Sequence, residues 1–195
     1  MGKIYYMMGK SSSGKDTLYK EVRQRCPELK TVTLYTTRPI REGEKDGVEY
    51  FFVTDSVLKE YEEKNRVIEL RSYPTMYGDW KYATVDDGQV NLKESDYLII
   101  GTLESYEKLR AYYGEENLVP VYIEVEDGER LNRALLRERA QTNPKYDEVC
   151  RRFLADQKDF SEEKIQAAGI TRRFQNESKV QCLEEIVGVI HHGKL

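Results

Sequence analysis

Apolar residues fall in short runs of strand length, separated by amphipathic or polar stretches, and this spacing is that of an α/β domain. Residues 3–8, 97–100 and 118–123 are almost continuously apolar, as strands covered on both faces of a parallel sheet must be. Helical periodicity predicts elements over 15–25, closed by Pro27, over 105–113 and over 178–190. Residues 31–35, rich in β-branched side chains, read as a second strand. Strands are also predicted over 50–53 and 66–70, with Asp55 capping a helix over 56–64 between them, and a last short strand over 170–174. Two strands around a charged loop, then a helix and a strand, make a small mixed-sheet insertion. From 128 to 164 the chain is highly charged and helical, interrupted at Asn143-Pro144. No repeat or low-complexity segment is present.

Composition narrows the function more than the fold. At 195 residues there is room for one α/β domain with insertions. A net charge of −4 and a pI of about 5.5 give no general basic surface, so neither nucleic acid nor membrane is an expected partner and any anion site must be local. The three cysteines, Cys26, Cys150 and Cys182, are widely spaced; they suit a reducing cytoplasm and neither a disulfide framework nor a zinc site. No signal pattern and no apolar run of about 18 residues appears, so a soluble cytoplasmic protein is expected. The two histidines, His191 and His192, read as a solvated tail and argue against histidine-based catalysis.

The candidate chemistry begins at residues 8–17, Met-Gly-Lys-Ser-Ser-Ser-Gly-Lys-Asp-Thr, between the first strand and the first helix. Strand, Gly/Ser loop and helix in that order describe a P-loop. Gly9 and Gly14 let the backbone of Ser11, Ser12 and Ser13 curl its N–H groups toward phosphate oxygens. The helix adds its positive N-terminal end, and Lys15 reaches the β- and γ-phosphates of ATP. The pattern asks for Ser or Thr after Gly-Lys; here Asp16 precedes Thr17, and both are hard oxygen ligands suited to Mg²⁺. In the polar loop that follows, Arg38 and Arg41 are spaced to hold a monophosphate from two sides, and Tyr50 offers a neutral hydroxyl donor. Glu69 lies within an apolar strand; guanine offers such a carboxylate two donors, N1–H and the 2-amino group, whereas adenine has no N1–H.

The stretch Thr36-Thr37-Arg38-x-x-Arg41-x-Gly43-Glu44-x-x-Gly47-x-x-Tyr50-x-Phe52 resembles the guanylate kinase signature, and the resemblance continues through Glu69, Tyr77-Gly78, the arginine-rich segment and the C-terminal strand and helix. It implies an α/β fold with a P-loop parallel-sheet core flanked by helices (1–34, 84–125 and 161–195), a small mixed-sheet GMP-binding insertion (35–83) and a helical lid (126–160). It implies ATP-dependent, Mg²⁺-requiring phosphorylation of GMP or dGMP, small-molecule partners only, and a possible homo-oligomer. Arg38, Arg41, Tyr50, Glu69, Tyr77 and Gly78 would bind GMP. Arg139 and Arg152 align with the two lid arginines, with Arg137 as a substitute because the spacing is two residues longer, and Asn176 falls where the family presents an asparagine near adenine. With Lys15 and Arg38, the lid pair would be catalytic.

The sequence departs from the family pattern in four respects. Asp16 replaces the hydroxyl residue, and Gly101 and Leu103 stand where Asp-x-Asp is usual. Leu34 replaces a serine that helps read guanine, and Asp79 replaces Ser or Thr after Tyr77-Gly78. These changes touch base recognition and metal binding and leave the phosphate grips intact. Two alternatives share part of the resemblance: ribose 1,5-bisphosphate phosphokinase, which has the Gly-Lys-Asp loop and lacks Asp-x-Asp, and guanylate-kinase-like peptide-binding domains, which typically lose the P-loop lysine that is kept here as Lys15.

Overall fold

The computed structural model describes residues 1–75 and 78–193. In chain order the elements are β1 (Ile4–Met8), α1 (Lys15–Arg25), β2 (Lys30–Thr31), β3 (Tyr35–Thr36), β4 (Phe51–Phe52), α2 (Asp55–Glu63), β5 (Val67–Thr75), β6 (Gly78–Val85), β7 (Tyr97–Ile100), α3 (Leu103–Tyr113), β8 (Leu118–Glu124), α4 (Asp127–Arg139), α5 (Tyr146–Asp159), α6 (Glu162–Ala167), β9 (Arg173–Gln175) and α7 (Lys179–His192).

Five strands form an all-parallel sheet in the order β2-β7-β1-β8-β9. Every residue of β1 is buried, which explains its unbroken apolar run: alternate side chains serve two cores. Tyr5 and Met7 pack with Leu18 and Val22 of α1 and Ile186 of α7, whereas Ile4, Tyr6 and Met8 pack with Leu103, Tyr106 and Leu109 of α3 and Ile165 of α6. Helices therefore cover both faces. Helix α3 starts in a capping box, Thr102 Oγ1 accepting from Ser105 N–H at 3.3 Å and Ser105 Oγ accepting from Thr102 N–H at 3.4 Å.

The second sheet, β4-β3-β6-β5, is mixed, with β3 parallel to β4 and antiparallel to β6. One face packs Tyr35, Leu58, Ala83 and Val85 into a small core of its own, closed by α2. The residues that share the other face follow from register: Glu69 lies across from Thr84, Arg71 from Tyr82 and Tyr82 from Thr36.

Several expectations from the pattern change here. The strand over 31–35 is divided between the two sheets: Gln89 accepts from Thr33 N–H at 2.8 Å and donates to Thr33 C=O at 3.1 Å, so a side chain takes the backbone groups that a continuous strand would have paired. Asp55 is the first residue of α2 rather than its cap, which is Thr54. Strand β6 was not expected, because Asp79 and Lys81 break its apolar alternation. The C-terminal strand begins at Arg173, later than the pattern suggested. Both histidines belong to the last turn of α7, and His191 Nε2 lies 3.7 Å from Cys26 Sγ and 3.6 Å from a Glu28 carboxylate oxygen, a grouping that cysteine spacing alone could not reveal. Among the described residues no helix is long and apolar enough to cross a membrane.

Candidate active site

The loop between β1 and α1 has the backbone of an anion cradle. Ser12 (φ 63°) and Gly14 (φ 85°) are left-handed, which turns successive N–H groups to one side just before the helix starts at Lys15. At Gly14 a side chain has no room, since an added Cβ would lie 2.4 Å from the Asn176 amide nitrogen. Ser13 is fully buried, and its hydroxyl is the buried side-chain polar atom without a hydrogen-bond partner among the described residues. A cradle with an orphaned hydroxyl fits a polyphosphate. Asn176 is buried beneath the loop and donates to Ser13 C=O at 2.8 Å, so its amide braces the cradle. Lys15 Nζ lies 3.2 Å from Asp16 Oδ2, and Asp16 and Thr17 are exposed in the first turn of α1. Carboxylate and hydroxyl together form a donor set that fits Mg²⁺.

Above the loop stand α4 and α5. Arg130, 2% exposed, joins them to it: Nε and Nη2 donate to Asp127 Oδ1 at 3.0 and 2.7 Å, and Nη1 donates to Ser11 C=O at 2.8 Å and to Asp156 Oδ2 at 3.2 Å. Its guanidinium also covers the Phe153 ring at 5.1 Å. Asp156 Oδ2 accepts from Ser11 N–H at 2.8 Å, so a carboxylate from α5 already lies on the cradle. Lys10 Nζ donates to Gln157 at 2.7 Å and lies 3.4 Å from Asp127. Burial would raise the Asp127 carboxyl, but hydrogen bonds from Gln157 and Arg130 and the charge of Lys10 outweigh it and hold it below its ordinary value. Arg137 reaches Ser12 Oγ at 3.3 Å.

On the second sheet, Arg38 is 3% exposed and held by Glu44 through two bonds of 3.0 and 2.8 Å, between the rings of Tyr50 and Phe52 at 5.5 and 5.4 Å. Glu44 also accepts from Arg41 N–H at 2.8 Å, and its carboxyl is lowered by the Arg38 hydrogen bonds first and the Arg41 amide second. Burial raises the Tyr50 phenol, so it remains a donor at neutral pH. Glu69 is 5% exposed and paired with Arg71 and Thr84. Gly78, with φ 101°, opens β6; Tyr77 lies outside the described residues. Where an acid would be usual at position 101, an added Cβ would lie 2.0 Å from the buried Tyr6 hydroxyl.

A cavity of about 590 Å³ joins these parts, lined by Ser11 and Ser12 of the loop, Arg41 from the second sheet's loop, and Arg137, Arg152 and Asp156 from the helices above. Arg139 is exposed at the end of α4 and is not among the lining residues; Arg152 lines the cavity while bonded to Glu148 at 2.7 Å. Sequence reasoning gave no role to Arg130, Asp156, Glu44 or Arg71. Two of them carried a local signal: Glu44 falls within the signature stretch, and Arg71 stands two residues from Glu69 on the same strand face.

A P-loop on a parallel sheet, facing a second sheet and an arginine-rich helical cover, is the architecture of the P-loop nucleoside monophosphate kinases. The guanylate kinase family model matches residues 1–162, and the chain belongs to that family. Among curated relatives, a guanylate kinase of Helicobacter pylori is 30% identical over 134 residues, covering 68% of this chain and 63% of the relative. One from a Nostoc species is 33% identical over 103 residues, covering 53% and 50%, and one from Thermobifida fusca is 42% identical over 67 residues, 34% of each. The matched stretches of these relatives thus span from a third to under two thirds of their length. A solved guanylate kinase from Anaplasma phagocytophilum shares the fold, with TM-score 0.68 and 17% identity over 100% of this chain and 87% of the other.

Proposed function

We propose that this chain transfers the γ-phosphoryl group of ATP to GMP or dGMP. The observation that carries the reading is the shared cavity, in which the P-loop, the acceptor-side Arg41 and the lid arginines Arg137 and Arg152 meet. Residues 35–83 would receive the acceptor, and 126–160 would act as the lid. An acceptor that is already a phosphate anion needs no strong general base, so the protein's task is alignment and charge. Lys15 and the loop N–H groups would hold the triphosphate, displacing Asp156 from Ser11. Arg38, Arg41 and Tyr50 would grip the acceptor phosphate, and Arg152 with Arg137 or Arg139 would cover the transferring group. Asp16 and Thr17 would hold Mg²⁺, which when bound neutralises charge on the phosphates. Closure of the lid would exclude water from the same space. Such small-molecule substrates suit a cytoplasmic protein.

A second reading, an acceptor without a base such as ribose 1,5-bisphosphate, is favoured by one observation: Glu69 is already ion-paired. The test is steady-state ADP release from ATP and Mg²⁺ with GMP, dGMP, AMP, CMP, UMP and ribose 1,5-bisphosphate as separate acceptors, with Lys15→Ala as the blank. Turnover with GMP and dGMP above the others is expected. Turnover with the sugar bisphosphate alone would transfer the assignment to the second reading.

A further inference from the structure

The base-reading carboxylate of this site is largely used up before any substrate arrives. Glu69 Oε2 accepts from Arg71 Nε–H at 3.0 Å, and Oε1 accepts from Arg71 Nη2–H at 3.3 Å and from the Thr84 hydroxyl at 2.9 Å. A carboxylate has about four lone-pair positions, so among the described residues three are filled and a single one, on Oε2, is left. The arrangement is built into the sheet. A register shift between Val67 and Glu69 is followed by regular pairing, which sets Glu69 across from Thr84 and puts Arg71 on the same face two residues on. No other carboxylate lies within ion-pair distance of Arg71 among the described residues. Position 101, where the family pattern has an acid, has no room for one, because the Tyr6 hydroxyl fills the space beside Gly101.

The Watson–Crick edge of guanine brings two donors to Glu69, N1–H and the 2-amino group. Hypoxanthine brings N1–H alone, and adenine presents a lone pair at N1. One vacant lone pair serves one donor. We propose, on the reading that this face receives the acceptor base, that Arg71 is a specificity-determining residue: by occupying Glu69 it leaves the guanine 2-amino group unread. The acceptor class is then the 6-oxopurine nucleoside monophosphates, with IMP accepted about as well as GMP, and AMP refused. Leu34, which offers no hydrogen bond, is consistent with a pocket that makes few polar contacts to the base.

The experiment compares kcat/KM for GMP and IMP in the wild type, Arg71→Ala and Arg71→Met, alongside guanosine and inosine affinities from ligand-observed NMR titration without ATP. In the wild type the two acceptors, and the two nucleosides, should differ by less than about threefold. Freeing Glu69 should raise the guanosine-to-inosine preference at least tenfold, through a lower KM for GMP with IMP little changed. A wild type that already prefers guanosine over inosine tenfold overturns the proposal on its own, whether or not the variants fold. So does a preference that stays flat in correctly folded variants, or a wild type that binds neither nucleoside. If no monophosphate is phosphorylated, yet the nucleosides bind alike in the wild type and diverge in the variants, the kinase reading fails and the role of Arg71 stands.

Discussion

The two halves of the cleft are made of different materials. On the P-loop side the recognition groups are backbone N–H vectors, fixed by left-handed Ser12 and Gly14 and by the start of α1. On the second sheet they are side chains, and two of them have found partners within the protein: Arg38 with Glu44, and Glu69 with Arg71 and Thr84. A backbone cradle keeps its shape once the loop folds, and only the Asp156 carboxylate on Ser11 N–H has to leave before a phosphate takes its place. A side-chain pocket assembled from ion pairs must reopen some of them, so its selectivity depends on which internal pair a substrate can displace.

The largest effect that tests this contrast is catalytic. Lys15→Ala should lower kcat by about 10³-fold with every acceptor, and Arg38→Ala should lower kcat/KM for the acceptor by about 10²-fold with the KM for ATP unchanged. Steady-state kinetics with both substrates varied decides the point; an equal change in the KM for ATP would show that the halves are not separable. Stability should divide in the same way. Leu98, fully buried in the core beneath the P-loop, and Leu58, buried in the small core of the second sheet, should each cost about 3 kcal/mol on replacement by Ala. Hydrogen exchange should nevertheless show global loss for Leu98→Ala and opening confined to 35–85 for Leu58→Ala.

The smallest effect concerns pH. Hydrogen bonds from Arg151, then Arg152, lower the Glu148 carboxyl from 4.5 to about 2. A depressed native value means that the contribution of Glu148 is complete above pH 4.5 and is lost as pH falls from there toward 2. Solvent screening keeps it small. A carboxyl NMR titration should place Glu148 near 2, and Glu148→Gln should remove the acid sensitivity of α5 in that window.

Legibility in the sequence follows the same division. Strand, glycine loop, lysine and helix are neighbours along the chain, so residues 8–17 and the bounds of α1 could be read directly. Burial of both faces of β1, β7 and β8 left equally plain apolar runs. The rest depends on encounters between distant segments. Nothing local to Asp156 announces that it will accept from Ser11, and nothing in Thr33 shows that Gln89 will interrupt its strand. Residues 31–35 have the composition of one strand and are shared between two sheets. Arg71 was accessible to alternation alone, but its pairing with Glu69 became certain only with the sheet register.

The contact between Tyr6 and Gly101 also constrains the order in which this cleft could change. An acid introduced at 101 meets a filled space unless residue 6 is first made smaller, while a smaller residue 6 alone leaves a void in the core beneath α3. Tyr6 lies on β1 and Gly101 directly follows its neighbour β7, so the two positions can change only together. Either single step passes through a less stable protein, so a lineage with this pair is held there by packing, whatever acceptor selection favours.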